Sequence, residues 1–125
     1  MARNTFQSEK AVGGIAPLST LTEYNGTLYL SGVTAIDPAT GVLEGNAAEQ
    51  AEKALNIISD ILEDYGSSMD CVLKSTIYLS DMNDFKAVNE VYAAHFTAPY
   101  PSRTCVEVSG LPLGARVEID IIATE

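Results

Sequence analysis

This sequence is poor in positive charge. Its 125 residues include seven Lys and Arg against 17 Asp and Glu, so the formal net charge is -10 at pH 7. A chain of that charge repels phosphate backbones and anionic lipid headgroups unless its few cations cluster tightly. We therefore expect neither a nucleic acid nor a membrane as a partner.

Metal-binding and export features are also scarce. The chain has two cysteines, Cys71 and Cys105, and a single histidine, His95, and these residues do not stand at a metal-ligand spacing. The stretch from Met1 to Lys10 is polar and charged, and no apolar run approaches the length of a membrane span. These absences predict a cytoplasmic protein with free thiols and no bound metal.

The length and composition are those of one folded domain, which we assign to residues 1–125. Hydrophobic residues make up 46% of the chain, and the sequence contains no linker, repeat or low-complexity segment. The first clear element is a hairpin of strands Thr20 to Tyr24 and Thr27 to Val33, because Asn25-Gly26 between them is typical of a type I′ turn. A short strand near Asn4 to Ser8 is expected before it.

Apolar periodicity predicts two helices. The first begins at Asn46, which can form a capping box with Glu49, and it stops at Gly66. Its apolar stripe consists of Ala51, Leu55, Ile58, Leu62 and Tyr65, widened by Ala54 and Ile61. The second helix is capped by Ser80 or Asp81. Its stripe consists of Phe85, Val88, Val91 or Tyr92, and Phe96.

Three more strands are predicted, and they span Cys71 to Leu79, Ser102 to Val108, and Ala115 to Ala123. On the first of these, alternation places Cys71, Leu73, Ile77 and Leu79 on one face. The order of elements favours an α+β fold in which two helices pack on one face of a mixed β-sheet. The opposite face is uncovered in a monomer, so we expect an oligomer.

The penultimate strand carries the residues that look most reactive. In an extended strand Arg103 and Cys105 share one face, while Thr104 points to the other. The planar fork of an arginine matches a carboxylate, so a shielded Arg103 needs an anion. That anion is either a structural carboxylate, from Glu118 or Glu107, or the carboxylate of a small substrate.

Other candidate residues have more than one interpretation. Glu118 is either a solvated strand residue or a residue that holds and polarises a water molecule. Cys105 has no visible His-Asp system that would make a thiolate, so covalent catalysis is not favoured. Ser31-Gly32 ends an apolar strand, where the glycine either lets a ligand approach the backbone or marks a bulge. Asn89, on the second helix, is most simply a cap or a turn partner.

Several segments, taken in order, carry a family resemblance. The most specific is Pro101-Ser102-Arg103-Thr104-Cys105-Val106-Glu107-Val108, continued by Leu111-Pro112 and Val117-Glu118-Ile119. The others are Leu30-Ser31-Gly32, Ala54-Leu55-Asn56-Ile57, Lys74 to Leu79, Asp81 to Phe85, and Val88 to Tyr92. Together they resemble the RidA/YjgF proteins, which are reactive intermediate deaminases also labelled L-PSP or endoribonuclease-like. The resemblance covers essentially the whole chain.

The resemblance implies a chorismate-mutase-like fold assembled as a homotrimer, with the sheets forming a central barrel and the helices outside. It implies clefts at the subunit interfaces that bind small 2-imino or 2-oxo acids. The implied reaction is hydrolysis of 2-iminobutanoate or 2-iminopropanoate to the 2-oxo acid and ammonia, without a cofactor.

The resemblance also assigns roles to residues of this chain. Arg103 would hold the substrate carboxylate, and Glu118 would orient the attacking water. The backbone at Cys105 and Gly32 would bind the polar end of the ligand. Two further positions, Ser31 and Asn89, match family pocket positions with less defined roles.

Two positions depart from the family pattern. Where many deaminases carry Gly-Pro-Tyr-Ser-Gln, this chain has Ala16-Pro17-Leu18-Ser19-Thr20, so Leu18 replaces a pocket tyrosine. Where they carry Ser-Gly-Gln, this chain has Val33 after Ser31-Gly32. Leucine lacks the phenolic hydroxyl, and this difference motivates the hypothesis of a non-catalytic binder or sensor of small carboxylates. Two other hypotheses also stay open: an imine deaminase, and a ribonuclease or translation inhibitor. The charge of -10 argues against the third.

Overall fold

The computed structural model of the protein describes residues 2–11 and 16–125, so the predicted domain 1–125 includes five positions, 1 and 12–15, outside the described residues. Within those ranges the strands are β1 (Asn4–Phe6), β2 (Leu21–Tyr24), β3 (Thr27–Leu30), β4 (Val72–Leu79), β5 (Ser102–Glu107) and β6 (Val117–Thr124). The helices are α1 (Ala47–Asp64) and α2 (Phe85–Ala94), and three single 3-10 turns span Met69–Cys71, Met82–Asp84 and Pro112–Gly114. The predicted order of elements is confirmed.

The described strands form one mixed sheet in the order β1-β2-β3-β6-β4-β5. Neighbouring strands are antiparallel except for the parallel pair β4 and β5. Strands β1 and β5 are therefore the two edges of the sheet. On β6, Val117, Ile119, Ile121 and Ala123 are buried and the residues between them are only partly buried. The buried set joins the apolar side chains of both helices in one core, so the α+β fold with helices on one face is confirmed.

The hairpin has the turn that the sequence predicts. Asn25 and Gly26 have φ values of 51° and 83°, the positive values that a type I′ turn requires at both central positions. The second strand is shorter than predicted because regular pairing stops at Leu30. Val33 instead forms an isolated bridge with Ile119 on β6. Ser31 and Gly32 therefore lie at a break in the strand.

Helix α1 follows its sequence pattern closely. The Asn46 side chain accepts a hydrogen bond from the Glu49 amide, and the Glu49 carboxylate accepts one from the Asn46 amide, each at 2.9 Å. This capping box satisfies two amides that a helix start leaves without partners. The predicted stripe is buried except for Tyr65, which is partly buried and packs edge-on against Phe6. Gly66 follows with φ at 92°, a conformation that suits glycine.

Strand β4 differs from the prediction at its start. Cys71 belongs to a 3-10 turn, and the strand begins at Val72, which is buried. A register shift between Val72 and Lys74 turns Leu73 outward, where 49% of it is exposed. The prediction that Leu73 shares the buried face was therefore wrong, because one irregular residue reverses the alternation of a strand. Ser75 takes the buried phase with Ile77 and is completely buried.

Helix α2 also differs from its predicted stripe. Val88 and Tyr92 are buried, but Phe85 is 39% exposed. The Asp81 side chain accepts from the Asn83 amide at 2.9 Å and so caps the preceding 3-10 turn rather than α2 itself. The start of α2 is fixed by other means, since the Arg116 guanidinium donates to both oxygens of Asp84 at 2.8 to 3.2 Å.

The last two strands are displaced slightly from their predicted ends. Strand β5 stops at Glu107, one residue earlier than predicted. Strand β6 begins at Val117 rather than Ala115, because the Ala115 amide still closes the 3-10 turn on the Pro112 carbonyl. The Arg116 amide donates to the buried Gln50 side chain, which ties the start of β6 to α1.

Candidate active site

Arg103 lies on the helix-facing side of strand β5. Its Cζ is 5.0 Å from the centre of the Tyr92 ring and 5.6 Å from the centre of the Phe85 ring. Both distances are within the range of cation–π contacts. No carboxylate in residues 2–11 and 16–125 forms an ion pair with this guanidinium. The Glu107 carboxylate instead accepts from the Met82 amide at 2.7 Å, so the structural pairs considered for Arg103 are not formed.

A cleft of about 250 Å³ opens beside the guanidinium. It is lined by Asn89, Tyr92, Ala93, Tyr100, Pro101 and Arg103. Asn89 is neither a cap nor a turn partner, because its Oδ1 is buried and has no hydrogen-bond partner in the described part of the chain. A buried polar atom without a partner is costly, and here it stands beside an unpaired cation. The cleft therefore offers a cation and an amide to a small polar ligand.

Cys105 lacks the features of a nucleophile. Burial raises the pKa of its thiol, and the nearby charge of Arg103 opposes that shift only in part. The thiolate, which is the reactive form, is thus disfavoured. His95 is not available as a base for it, since its Nε2 lies 2.5 Å from the Glu52 carboxylate on α1. Cys105 is better suited to line the site than to attack a substrate.

Glu118 lies on the opposite side of the sheet. Burial raises the pKa of its carboxyl, and the neighbouring charge of Asp120 raises it further. The carboxylate is placed directly against the backbone of Gly32, where an added β-carbon would lie 2.5 Å from Glu118 Oε2. Glycine at the strand break is therefore needed for this position of the carboxylate, so the group that approaches its backbone closely is the side chain of Glu118.

A second cleft, of about 300 Å³, surrounds Glu118. Its other lining residues are Ala11, Ala16, Leu18, Ser31, Gly32, Val33, Thr34, Ile36, Ile57 and Pro112. Leu18 is 40% exposed and also borders a neighbouring cleft with Arg3 and Tyr29. The Ser31 hydroxyl donates to the Ser19 carbonyl at 2.7 Å and so holds the loop that presents Leu18. This cleft combines one carboxylate with a largely apolar wall.

The strand register shows that Arg103 and Glu118 point to different faces of the sheet. Tyr78 on β4 is paired with both Glu118 and Val106, so these three side chains point the same way. Arg103 lies three positions before Val106 on β5, an odd number, so it points the other way. It is paired with Ser75, which faces the helices. The candidate residues therefore fall into two sets, which we call half-sites: Arg103 and Cys105 with the nearby Asn89, and Leu18, Ser31 and Gly32 with Glu118.

Comparison with known proteins identifies the family. Residues 8–125 match the family described as Endoribonuclease L-PSP. The chain belongs to the RidA/YjgF family. It is 39% identical over 124 residues to a mouse protein named 2-iminobutanoate/2-iminopropanoate deaminase, and the match covers 98% of this chain and 92% of the mouse protein.

Solved structures of this family have the same fold. RidA from the Antarctic bacterium Psychrobacter sp. PAMC 21119 is 36% identical and has a TM-score of 0.93, with 98% of this chain and 100% of that one covered. E. coli TdcF, solved with bound serine, is 31% identical and has a TM-score of 0.89, with 98% of each chain covered. The RidA/YjgF resemblance seen in the sequence is therefore confirmed.

Sequence reasoning missed what surrounds Arg103 in this RidA/YjgF protein. Tyr92 was interpreted as a core residue, and it is buried, but one of its faces also supports the guanidinium. Ser75 was not considered, although its hydroxyl lies 2.5 Å from the Tyr92 hydroxyl. The sequence did offer an indication, because Ser75, Ile77 and Leu79 stand at every second position and so lie together on the buried face of their strand. A buried hydroxyl requires a hydrogen-bond partner, which predicts a polar group opposite Ser75.

The structure adds observations on metals, membranes and cysteines. Within the described residues, no three His, Cys, Asp or Glu side chains are grouped closely enough to hold a metal ion. The same part of the chain has no helix that is both long and apolar enough to cross a bilayer. Cys71 and Cys105 are both free thiols.

Proposed function

We propose that this protein hydrolyses the reactive 2-imino acids 2-iminobutanoate and 2-iminopropanoate to 2-oxo acids and ammonia. The observation that carries the proposal is Arg103, a partly buried guanidinium that rests on two aromatic rings and lacks a carboxylate partner among the described residues. Such a fork is suited to the carboxylate of a small acid. The name of the mouse relative supports the same reaction.

The chemistry needs little beyond positioning. The carbon of a C=N bond is already electrophilic, so the site must hold the substrate carboxylate and direct one water molecule at that carbon. Glu118 accepts a proton from the water as its oxygen adds to the carbon, the C=N electron pair moves to the nitrogen, and the proton passes to that nitrogen to give a carbinolamine. The hydroxyl proton of the carbinolamine then moves to the amine, the C–N bond breaks, and ammonia leaves as the 2-oxo group forms. The raised pKa of Glu118 makes its carboxylate a stronger base than an exposed glutamate. One water is consumed and no electrons are transferred, so the reaction requires no redox cofactor.

The proposed active site lies between two subunits of a homotrimer. Arg103 and Glu118 point to opposite faces of one sheet, which supports a site completed by the second half-site of a neighbouring copy. In the proposed assembly the open sheet faces form a central, chorismate-mutase-like barrel with the helices outside. The side chains of Tyr29 and Val106 are exposed on the open face of the sheet, and such an assembly would cover this apolar surface. The backbone at Cys105 and Gly32 would bind the polar end of the ligand.

The proposal also includes surroundings and partners. The free thiols of Cys71 and Cys105 are consistent with a reducing compartment, which supports a cytoplasmic location. The net charge of -10 supports the absence of nucleic-acid and membrane partners. RNA cleavage that depends on salt and survives in Arg103→Ala would contradict this part of the proposal.

The test is an imine hydrolysis assay. An amino-acid oxidase generates 2-iminobutanoate in solution, and the loss of the imine is followed in competition with semicarbazide trapping. Wild-type protein is expected to accelerate the loss, whereas Arg103→Ala and Glu118→Gln are expected to be nearly inactive. Lys86→Ala removes an exposed charge on α2 and serves as the control. Equal activity of Arg103→Ala and wild type would overturn the proposal.

Leu18 favours one alternative, a non-catalytic binder of small carboxylates. A leucine at this position offers no hydroxyl to the cleft that contains Glu118. E. coli TdcF, which has a similar fold, was solved with bound serine, and serine carries a small carboxylate of the kind that such a binder would take. Calorimetry that detects 2-oxobutanoate binding in a protein without imine hydrolysis would favour this alternative over the deaminase.

A further inference from the structure

Ser75 and Tyr92 form an isolated polar pair below Arg103. The Ser75 Oγ lies 2.5 Å from the Tyr92 hydroxyl, and the two side chains are 0% and 4% exposed. Within the described chain the Ser75 hydroxyl has no other hydrogen-bond partner. Ser75 lies on the buried face of β4 with Ile77 and Leu79. An apolar residue at this position would need no hydrogen-bond partner. Among the described residues, the hydroxyl of Ser75 therefore bonds only to the hydroxyl of Tyr92.

The Tyr92 ring is fixed from several directions. Its hydroxyl is held by Ser75, and the Phe96 ring packs against it with the two ring centres 4.5 Å apart. Burial raises the pKa of Tyr92, so the hydroxyl stays neutral and able to share this hydrogen bond. The Cζ of Arg103 lies 5.0 Å from the centre of the ring. Arg103 is also the register partner of Ser75 across β4 and β5.

We infer that Ser75 and Tyr92 are positioning residues that set the direction of the Arg103 fork toward the substrate carboxylate. A guanidinium without an ion pair has no charged partner to orient it, so the rings beneath it determine where its N–H groups point. Phe85 is partly exposed and has no polar anchor, whereas Tyr92 is anchored at its hydroxyl. The role in catalysis rests on the proposed function.

Kinetics separate positioning from mere stability. Tyr92→Phe keeps the ring but removes its anchor, and Ser75→Ala removes the other half of the same hydrogen bond. Each is expected to raise the KM for 2-iminobutanoate about fivefold, the equivalent of one hydrogen bond, with kcat nearly unchanged. A purely structural role would reduce the folded fraction, and therefore the apparent kcat, without changing KM.

The double variant makes the test sharper. If both residues act through one hydrogen bond, combining Ser75→Ala with Tyr92→Phe raises KM no further than either single change does. Each single variant leaves one buried hydroxyl without a partner, and the double variant leaves none, so its stability is expected to exceed that of the single variants. The matched control is Tyr65→Phe, which removes a hydroxyl at the end of α1, far from Arg103, where the Tyr65 ring packs edge-on against Phe6. This variant is expected to leave KM unchanged. Single variants with wild-type KM, or additive effects in the double variant, would overturn the inference.

A second measurement does not depend on turnover. The Arg103 side-chain Nε–Hε resonance in a 15N NMR spectrum is shifted by the ring currents of Tyr92 and Phe85, and it is expected to move in Ser75→Ala and in Tyr92→Phe. If wild type does not hydrolyse imines, the proposed function fails, and this resonance still tests the positioning. An Arg103 resonance that stays in place in both variants would overturn the inference even in an active enzyme.

Discussion

A β-carbon at position 32 would lie 2.5 Å from Oε2 of Glu118 and 2.9 Å from its Cδ. The Gly32→Ala variant therefore forces the carboxylate to rotate away. Because the contact is with the end of a flexible side chain, the fold is expected to survive while the site is lost. We expect kcat/KM for 2-iminobutanoate to fall about a hundredfold, the usual effect of misplacing a catalytic group by about 1 Å.

Gly110→Ala is the matched control for this prediction. An added β-carbon at Gly110 meets no atom within 4 Å, so the activity and the midpoint of urea unfolding are expected to match those of wild type. Full activity in Gly32→Ala would show that the position of Glu118 against this backbone is not used.

The raised pKa of Glu118 predicts two dependences on pH. Activity should increase as pH rises through the folded-state pKa, because the carboxylate is the proposed base. Stability should change in the opposite direction. The folded state favours the protonated carboxyl, so the contribution of this group is full below the unfolded-state pKa and is lost as pH rises through the higher folded-state pKa.

Glu118→Gln removes that titration. We compare the free energies of unfolding of the variant and of wild type between a pH below the ordinary pKa of glutamate and neutral pH. The difference, variant minus wild type, is expected to increase as pH rises. Urea unfolding at several pH values measures the difference. A difference that stays constant with pH would contradict the burial of this carboxyl.

Replacing Leu18 tests whether the apolar wall limits turnover. Leu18→Tyr would supply a hydroxyl to the cleft around Glu118, and one added hydrogen bond to the reacting group corresponds to an increase of about three- to tenfold in kcat/KM. Leu18→Phe provides a ring without the hydroxyl and is expected to remain near wild type. Equal effects of the two substitutions would assign the change to ring size and not to the hydroxyl.

Mixing two inactive variants tests the location of the site. When Arg103→Ala and Glu118→Gln subunits are unfolded together and refolded, a site between subunits is intact wherever a functional Arg103 meets a functional Glu118. Random assembly of equal amounts then restores about a quarter of the wild-type activity. A site built within one subunit would restore none, and each variant refolded alone gives the baseline.

The sequence predicted best the elements that repeat a simple pattern. The α1 stripe and its Asn46 capping box were predicted in detail because 3.6-residue periodicity and local hydrogen bonds need no tertiary information. Leu73 was predicted wrongly because a single irregular residue at the start of β4 reverses its alternation, and strand propensity does not locate such a shift.

The candidate site was predictable as a set of residues but not as an arrangement. The residue pattern marked Arg103 and Glu118 as candidates and the family resemblance gave them roles, whereas their placement on opposite faces depends on the register of β4 with both of its neighbours. The contact of Tyr92 with Arg103 likewise joins a helix to a strand, and no spacing along the chain predicts it. The assembly of subunits and the site-residue roles stay predictions.

Strand β5, which carries Arg103, is an edge of the sheet. One side of its backbone has no strand beside it in the described chain, and an exposed edge of this kind is a template for uncontrolled pairing with other chains. Strand β5 therefore joins a proposed binding residue to an aggregation-prone edge. Substitutions that loosen this strand are expected to promote aggregation as well as to lower activity.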